Sequence, residues 1–87
     1  MDWRVRLSPD VQTFLDKMDV HLSERVRKGL KKLKTIDPFH FLEHYEGEAY
    51  HKYRIGEYRA LIDVDFQNKI LWVRVLDHRG VIYKRRH

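Results

Sequence analysis

Cysteine is absent from the sequence, so neither a disulfide nor a thiolate metal site can form. Glycine and proline are scarce, with four and two residues, and no repeat, linker or low-complexity segment interrupts the chain. No apolar run approaches the roughly 18 residues that cross a bilayer, and no stretch resembles a signal peptide. These absences favour a soluble protein of a reducing compartment.

Charge, by contrast, is abundant. Hydrophobic residues make up 43% of the chain and charged residues 36%, which fits one compact domain over residues 1–87. Lysine and arginine total 18 against 13 acidic residues, a formal net charge of +5. An excess of this sign suits nucleic acid or an acidic protein as partner.

The first part of the chain shows strand periodicity and then helix periodicity. Apolar and basic residues alternate over residues 3–7, which predicts a strand. Ser8 can cap a helix that takes Pro9 in its first turn. Apolar spacing predicts a second helix from about Val20 to about Thr35.

The remainder is typical of strands joined by short connections. Residues 38–49 lack a sustained period and are expected to form a connecting loop. Tight turns are predicted at 56–57 and 67–69, the first of them on a glycine. Apolar content predicts a strand at 70–77 and a short last strand at 81–83. Short turns between consecutive strands imply antiparallel pairing.

The predicted fold class is therefore α+β. An N-terminal strand and a two-helix hairpin precede a three- to four-stranded antiparallel sheet, and both helices pack on one sheet face. Gly29 lies within the second predicted helix. It either costs about 1 kcal/mol relative to alanine or allows another element to approach closely.

Three cations gather on one face of the predicted hairpin. Side chains alternate along a strand, so Lys52 and Arg54 share a face, and Arg59 joins them beyond the turn. The opposite row, which includes Ala60 and Ile62, is apolar enough to face a core. Cations on a rigid sheet with tyrosines nearby suggest a site for a polyanion.

Such a site fits RNA cleavage by the RNA's own 2′-hydroxyl. That reaction needs a base, stabilisation of charge on the phosphate, and an acid for the leaving oxygen. Neighbouring cations disfavour the ammonium form of a lysine, so Lys52 could serve as the base. The planar forks of Arg54 and Arg59 suit a phosphate held through two hydrogen bonds.

Plainer interpretations fit the same pattern. Cations on one sheet face are often only a solvated surface, and tyrosines 53 and 58 could simply pack at the core or its edge. His40 and His44 have a zinc-ligand spacing only on a helix, which the local composition does not favour, and no third ligand is evident. We expect neither a metal nor a cofactor.

Two segments of the chain, through their order of basic, aromatic and turn residues, resemble the RelE/ParE toxin superfamily, and its RelE branch in particular. They are 52–62 (KYRIGEYRALI) and 73–83 (VRVLDHRGVIY). The opening strand, the Ser8-Pro9 cap and the two helices are also similar to that family. The resemblance therefore covers nearly the whole chain, although no single motif in it is diagnostic.

This resemblance implies the toxin of a type II toxin–antitoxin system. Such a toxin is a cytoplasmic, metal-independent endoribonuclease that enters the ribosomal A site, cuts mRNA and so inhibits translation. By position, the resemblance assigns the general base to Lys52 and phosphate stabilisation to Arg54 and Arg59. It makes Arg79 the general acid and Tyr83 the side chain that stacks on the scissile nucleotide.

Further substrate contacts are expected from three residues: His78, Lys84 and Arg85. The chain also departs from the family pattern, because Val81-Ile82 stands where many members have an acidic residue. Some relatives of this fold use a glutamate and a histidine as the acid/base pair. His78, together with Glu46 or Glu48, therefore competes for those roles.

The resemblance also implies a RelB-like antitoxin as partner, with operator DNA bound only by the toxin–antitoxin complex. We expect an acidic amphipathic segment over the helices and the sheet edge, where Trp3 or Phe39 would offer apolar surface. Two other functions stay open: a ParE-like inhibitor of DNA gyrase, and a basic RNA-binding module without activity. Presence of all five catalytic positions favours the ribonuclease.

Overall fold

The computed structural model describes residues 2–44 and 50–78. Within these ranges a strand precedes two α-helices, and four further strands follow a short 3-10 helix at Pro38–Phe41. The elements are β1 (Arg4–Leu7), α1 (Pro9–Lys17), α2 (Val20–Lys31), β2 (Glu43–His44), β3 (His51–Ile55), β4 (Tyr58–Asp65) and β5 (Ile70–His78). None of these helices is long and apolar enough to cross a bilayer.

The strands form one mixed sheet in the order β1-β5-β4-β3-β2. Strands β3, β4 and β5 pair antiparallel, as the short turns between them predicted. Strand β1 instead lies parallel to β5 at the sheet edge, and no local sequence pattern predicts this pairing. The α+β prediction is confirmed, and the sheet is wider than expected because β1 and the short β2 also join it.

Both helices pack on the same face of this sheet. Val11 and Leu15 of α1, together with Leu30 of α2, share one buried cluster with Ile62 and Val73 of the sheet. The other face of the sheet carries no helix among the described residues. That helix-free face is the surface on which the predicted cations lie.

Side-chain caps fix where the helices begin. The Ser8 hydroxyl accepts a hydrogen bond from the backbone N–H of Val11 at 3.3 Å, and the Ser8 backbone N–H donates to the carbonyl of Val73 at 3.0 Å. The first of these bonds caps α1, and the second fixes its start to β5. The Asp19 carboxylate caps α2 by accepting a hydrogen bond from the N–H of His21 at 3.1 Å.

The second helix ends earlier than its apolar spacing predicted. It stops at Lys31, and the following residues turn so that the carbonyl of Thr35 accepts a hydrogen bond from the N–H of Trp3 at 2.8 Å. Leu33 is fully buried within that turn. The helical spacing persists past Lys31 because Leu33 reaches the same core from a non-helical backbone.

Trp3 is a core residue rather than surface available to a partner, so that part of the prediction is wrong. Only 7% of it is exposed. Its ring meets Phe39 edge-on at a centroid distance of 5.1 Å and Phe66 at 6.0 Å. Phe39 is itself half-buried and stacks on Phe66 at 5.5 Å. Aromatic pairs in these geometries stabilise the edge of the core.

Residues 38–49 are not simply a loop. Asp37 caps the 3-10 helix by accepting the N–H of Phe39 at 3.2 Å, and Glu43–His44 then pairs with β3. Residues 45–49 lie outside the described part of the chain, as does the strand predicted at 81–83. Pairing with the β3 edge creates β2, which is why no period in the local sequence reveals it.

Gly29 allows the close approach that its position predicted. A Cβ placed there would lie 2.8 Å from Cγ2 of Ile55, and the Tyr53 hydroxyl donates to the Gly29 carbonyl at 2.7 Å. Burial raises the pKa of Tyr53, so its hydroxyl remains a donor. The absence of a side chain at Gly29 thus brings α2 against β3.

We expect Gly29→Ala to destabilise the fold by about 1 kcal/mol, although alanine is the better helix former. Overpacking typically costs about 1–3 kcal/mol and outweighs a propensity gain of about 1 kcal/mol. Urea unfolding followed by circular dichroism would measure the change. The exposed neighbour supplies the control, because Lys28→Ala should leave stability within about 0.5 kcal/mol of wild type. A more stable Gly29→Ala variant would contradict the close approach.

Candidate active site

Antiparallel pairing of β3 with β4 brings the three predicted cations together. Arg54 lies directly opposite Arg59, and Lys52 lies opposite Leu61 on the same face. The alternate residues, Tyr53 and Ile55, are buried toward the helices. The two-residue turn that fixes this register includes Gly56, whose φ of 57° is the left-handed conformation that favours glycine.

The two arginines are held by different acceptors. Arg54 is exposed, and its Nε donates to the carbonyl of Gly56 at 3.4 Å. Arg59 is only 7% exposed, and its Nη1 donates to Oε2 of Glu43 at 3.5 Å. Like charges directly opposite on adjacent strands destabilise a sheet. An anion bound between these guanidinium groups would remove that repulsion.

Two acidic residues at the site were not predicted. Glu43 lies opposite Lys52 in the β2–β3 register, and Asp77 of β5 lies opposite Arg59. The two-residue strand that carries Glu43 is too short to show a period, so local sequence gives no signal for it. Asp77 belonged to a predicted strand, and only the register reveals that it shares a face with the cations. The site therefore combines three cations with two carboxylates, and Glu43 forms an ion pair with Arg59.

His78 lies away from the cations. It is opposite Tyr58 in the register, and the two rings meet at a centroid distance of 5.8 Å. Tyr58 packs against the core and lies 6.1 Å from Phe14 of α1, which places this pair on the helix-bearing face. Six other residues with predicted roles lie outside the described ranges: Glu46, Glu48, Arg79, Tyr83, Lys84 and Arg85.

A pair of histidines lies beside the cation site. The rings of His44 and His51 stack at 4.4 Å across β2 and β3. Burial, and then the charge of His44, lowers the pKa of His51, so its neutral form is favoured. His40 lies in the 3-10 helix, and no three metal-binding side chains group together among the residues described. The pair is best understood as packing between β2 and β3.

This arrangement can stabilise negative charge that develops on a phosphate. Arginine forks take phosphate oxygens through paired hydrogen bonds, and preorganised charge usually makes the largest single contribution to such catalysis. The half-buried Lys52 lies on the same face, two positions along β3 from Arg54. Fold and site together define a small two-layer α+β domain with a cluster of three cations on its helix-free face.

More specifically, the chain has the RelE toxin fold. Its sequence matches no family model and no curated protein. Among solved structures, it superimposes on the RelE chain of the RelBE2 complex from Mycobacterium tuberculosis with a TM-score of 0.76 and 20% identity, over 91% of this chain and 100% of that one.

Two archaeal structures give the same result. The RelE–RelB complex from Pyrococcus horikoshii OT3 matches with a TM-score of 0.74 and 23% identity, over 92% of this chain and 98% of that one. The RelB–RelE complex from Methanococcus jannaschii matches with a TM-score of 0.67 and 17% identity, over 93% and 98%. At these identities the likeness establishes the fold, and function must be argued from the site.

Proposed function

We propose that this protein is the toxin of a type II toxin–antitoxin system and a ribosome-dependent endoribonuclease that cuts mRNA in the A site. The observation that carries the proposal is the placement of Arg54 directly opposite Arg59, with Lys52 on the same face. Two guanidinium groups opposite each other on paired strands repel, and a phosphate between them would reduce this repulsion beyond what the Glu43 carboxylate beside Arg59 does. The shared fold with RelE toxins supports the proposal.

The proposed reaction is a transesterification. Lys52 takes the proton of the 2′-hydroxyl, and the resulting oxygen attacks the adjacent phosphorus. The bond from phosphorus to the 5′-oxygen breaks, leaving a 2′,3′-cyclic phosphate and a 5′-hydroxyl. Arg54 and Arg59 stabilise the added negative charge on the phosphate oxygens.

Residues beyond β5 complete this proposal. Arg79 donates the proton that the leaving 5′-oxygen takes, and Tyr83 stacks on the scissile nucleotide. Lys84 and Arg85 add contacts to the RNA backbone, whose affinity rests on such cations. No metal is assigned a role, since the base, the charge and the acid all come from side chains.

We also propose a RelB-like antitoxin with an acidic amphipathic segment as partner, because the similar structures are toxin–antitoxin complexes. A net charge of +5 suits such a segment. In the proposal the free toxin acts on ribosomes in the cytoplasm, and operator DNA is bound only by the complex. Absence of a stable complex with the protein encoded next to it would count against this partner.

The direct test is in vitro translation with purified protein, with mRNA ends mapped by primer extension. We expect cuts at the A-site codon that appear only when ribosomes are present, with cyclic phosphate and 5′-hydroxyl ends. Intact mRNA together with inhibition of gyrase supercoiling would establish the ParE-like alternative instead. Intact mRNA without gyrase inhibition would favour the third function, a basic RNA-binding module without activity.

A further inference from the structure

The helix-free face also carries Trp72 of β5, which lies between β1 and β4 and away from the three cations. Leu71 and Val73 of β5 are fully buried in the core, so the intervening Trp72 points to the opposite face. It is half-buried there. Strand β1 places Arg6 beside it in register, and β4 places Asp63 on its other side.

A β-bulge adds a second cation to this tryptophan. Leu61 pairs with Val75 and Ile62 with Val73, so Arg74 is the extra residue on β5. Its Cζ lies over the Trp72 ring, 4.8 Å from the centroid. Its Nη2 lies 3.6 Å from Oδ2 of Asp63. The ion pair fixes the guanidinium over the indole, which reduces the entropy lost when a ligand joins the stack.

We propose that Trp72 and Arg74, flanked by Arg6, form a second subsite that stacks one base of a single-stranded RNA. Every base has a π-face, and unpaired bases in RNA complexes stack on aromatic rings and guanidinium planes. Arg6 and the exposed Arg4, which also lies on this face, supply charge for the neighbouring phosphates. Asp63 is the acidic member of this group.

Continuity with the cation site identifies the occupant. Asp63 is beside Trp72 and lies four residues along β4 from Arg59, a span of about 13 Å. A strand of a few nucleotides can therefore place a phosphate at Arg59 and a base at Trp72. The inference rests on the proposed function, because it assigns a neighbouring nucleotide of the same substrate to this subsite.

Binding of a labelled oligouridine of about 12 nucleotides, a length within the site sizes of such surfaces, tests the subsite without ribosomes. We expect Trp72→Ala to raise the Kd about tenfold, and Trp72→Phe, which keeps a stacking ring, to restore most of the affinity. Arg74→Gln should also weaken binding. Lys28→Gln on the helix side removes the same charge and should not change the Kd.

A probe without bases separates the contribution of stacking to RNA affinity from the contribution of charge. An abasic oligomer of the same length should bind wild type and Trp72→Ala equally. The chain has two tryptophans, and Trp3 is buried in the core. RNA should therefore quench the fluorescence of wild type but not that of Trp72→Phe. This quenching needs no alanine variant, so the proposal stays testable if Trp72→Ala does not fold.

Unchanged RNA affinity in folded Trp72→Ala, or absence of quenching in wild type, would overturn the subsite. These results are distinct from failure of the proposed function. A wild-type protein that cuts mRNA but binds RNA independently of Trp72 refutes only the subsite. A wild-type protein that binds through Trp72 but leaves mRNA intact on ribosomes refutes only the nuclease.

Discussion

Replacing Arg59 with alanine is expected to lower the rate of A-site cleavage by at least about a hundredfold, the usual effect of removing one preorganised charge donor. Arg59 is nearly buried and lies opposite Arg54, and the proposed mechanism assigns its guanidinium to the phosphate charge that develops during cleavage. A cation with little exposure is weakly screened by solvent and salt. Primer extension on translating ribosomes, with wild type in parallel, measures the loss.

Two further variants separate chemistry from structure. Glu43→Gln keeps the guanidinium and removes the ion pair at 3.5 Å, so it should retain most of the cleavage. Arg59→Lys keeps a positive charge without the fork and should give a rate between those of wild type and alanine. Unchanged cleavage in Arg59→Ala would contradict the proposed site. The three cations would then be only a solvated surface of the sheet.

The cation cluster was predictable because local rules determine it. Side chains on paired strands alternate with a period of two, and a two-residue turn containing Gly56 fixes which residues face each other. Lys52, Arg54 and Arg59 follow from those two facts. The cap at Ser8 was predictable for the same reason, since it depends on a few adjacent residues.

Contacts between distant segments could not be predicted in this way. Glu43 reaches Arg59 because a two-residue strand pairs with β3, and buried Trp3 packs against Phe39 and Phe66, which are distant in sequence. The parallel partner of β1 is likewise a property of the whole sheet. Local periodicity contains no information on these pairings.

The bulge at Arg74 shows how one residue can reverse a pattern. Regular alternation from Leu71 and Val73 would continue inward at Val75 and leave Leu76 on the helix-free face. The extra residue instead leaves Leu76 in the core, where it is 4% exposed. Since this part of the chain is an almost continuous apolar run, the sequence does not show which of these residues face the core.

The Lys52→Arg variant is expected to separate two roles of Lys52, proton transfer and positive charge. Arginine keeps the positive charge, but the neutral form that a base requires is not populated in its guanidinium, so it cannot take the proton of the 2′-hydroxyl. General-base catalysis contributes about 10²–10⁴-fold, and we expect cleavage to fall by at least about a hundredfold. Affinity for single-stranded RNA should change little, because the charge opposite Leu61 is retained.

Single-turnover cleavage on programmed ribosomes and RNA anisotropy, measured on the same preparations, separate the two effects. Lys52→Ala is the comparison, since it removes base and charge together and should reduce both quantities. Cleavage at the wild-type rate in Lys52→Arg would show that Lys52 supplies charge alone. The proton must then pass to another acceptor, and Glu43, which lies opposite Lys52 in the register, is the carboxylate to replace next.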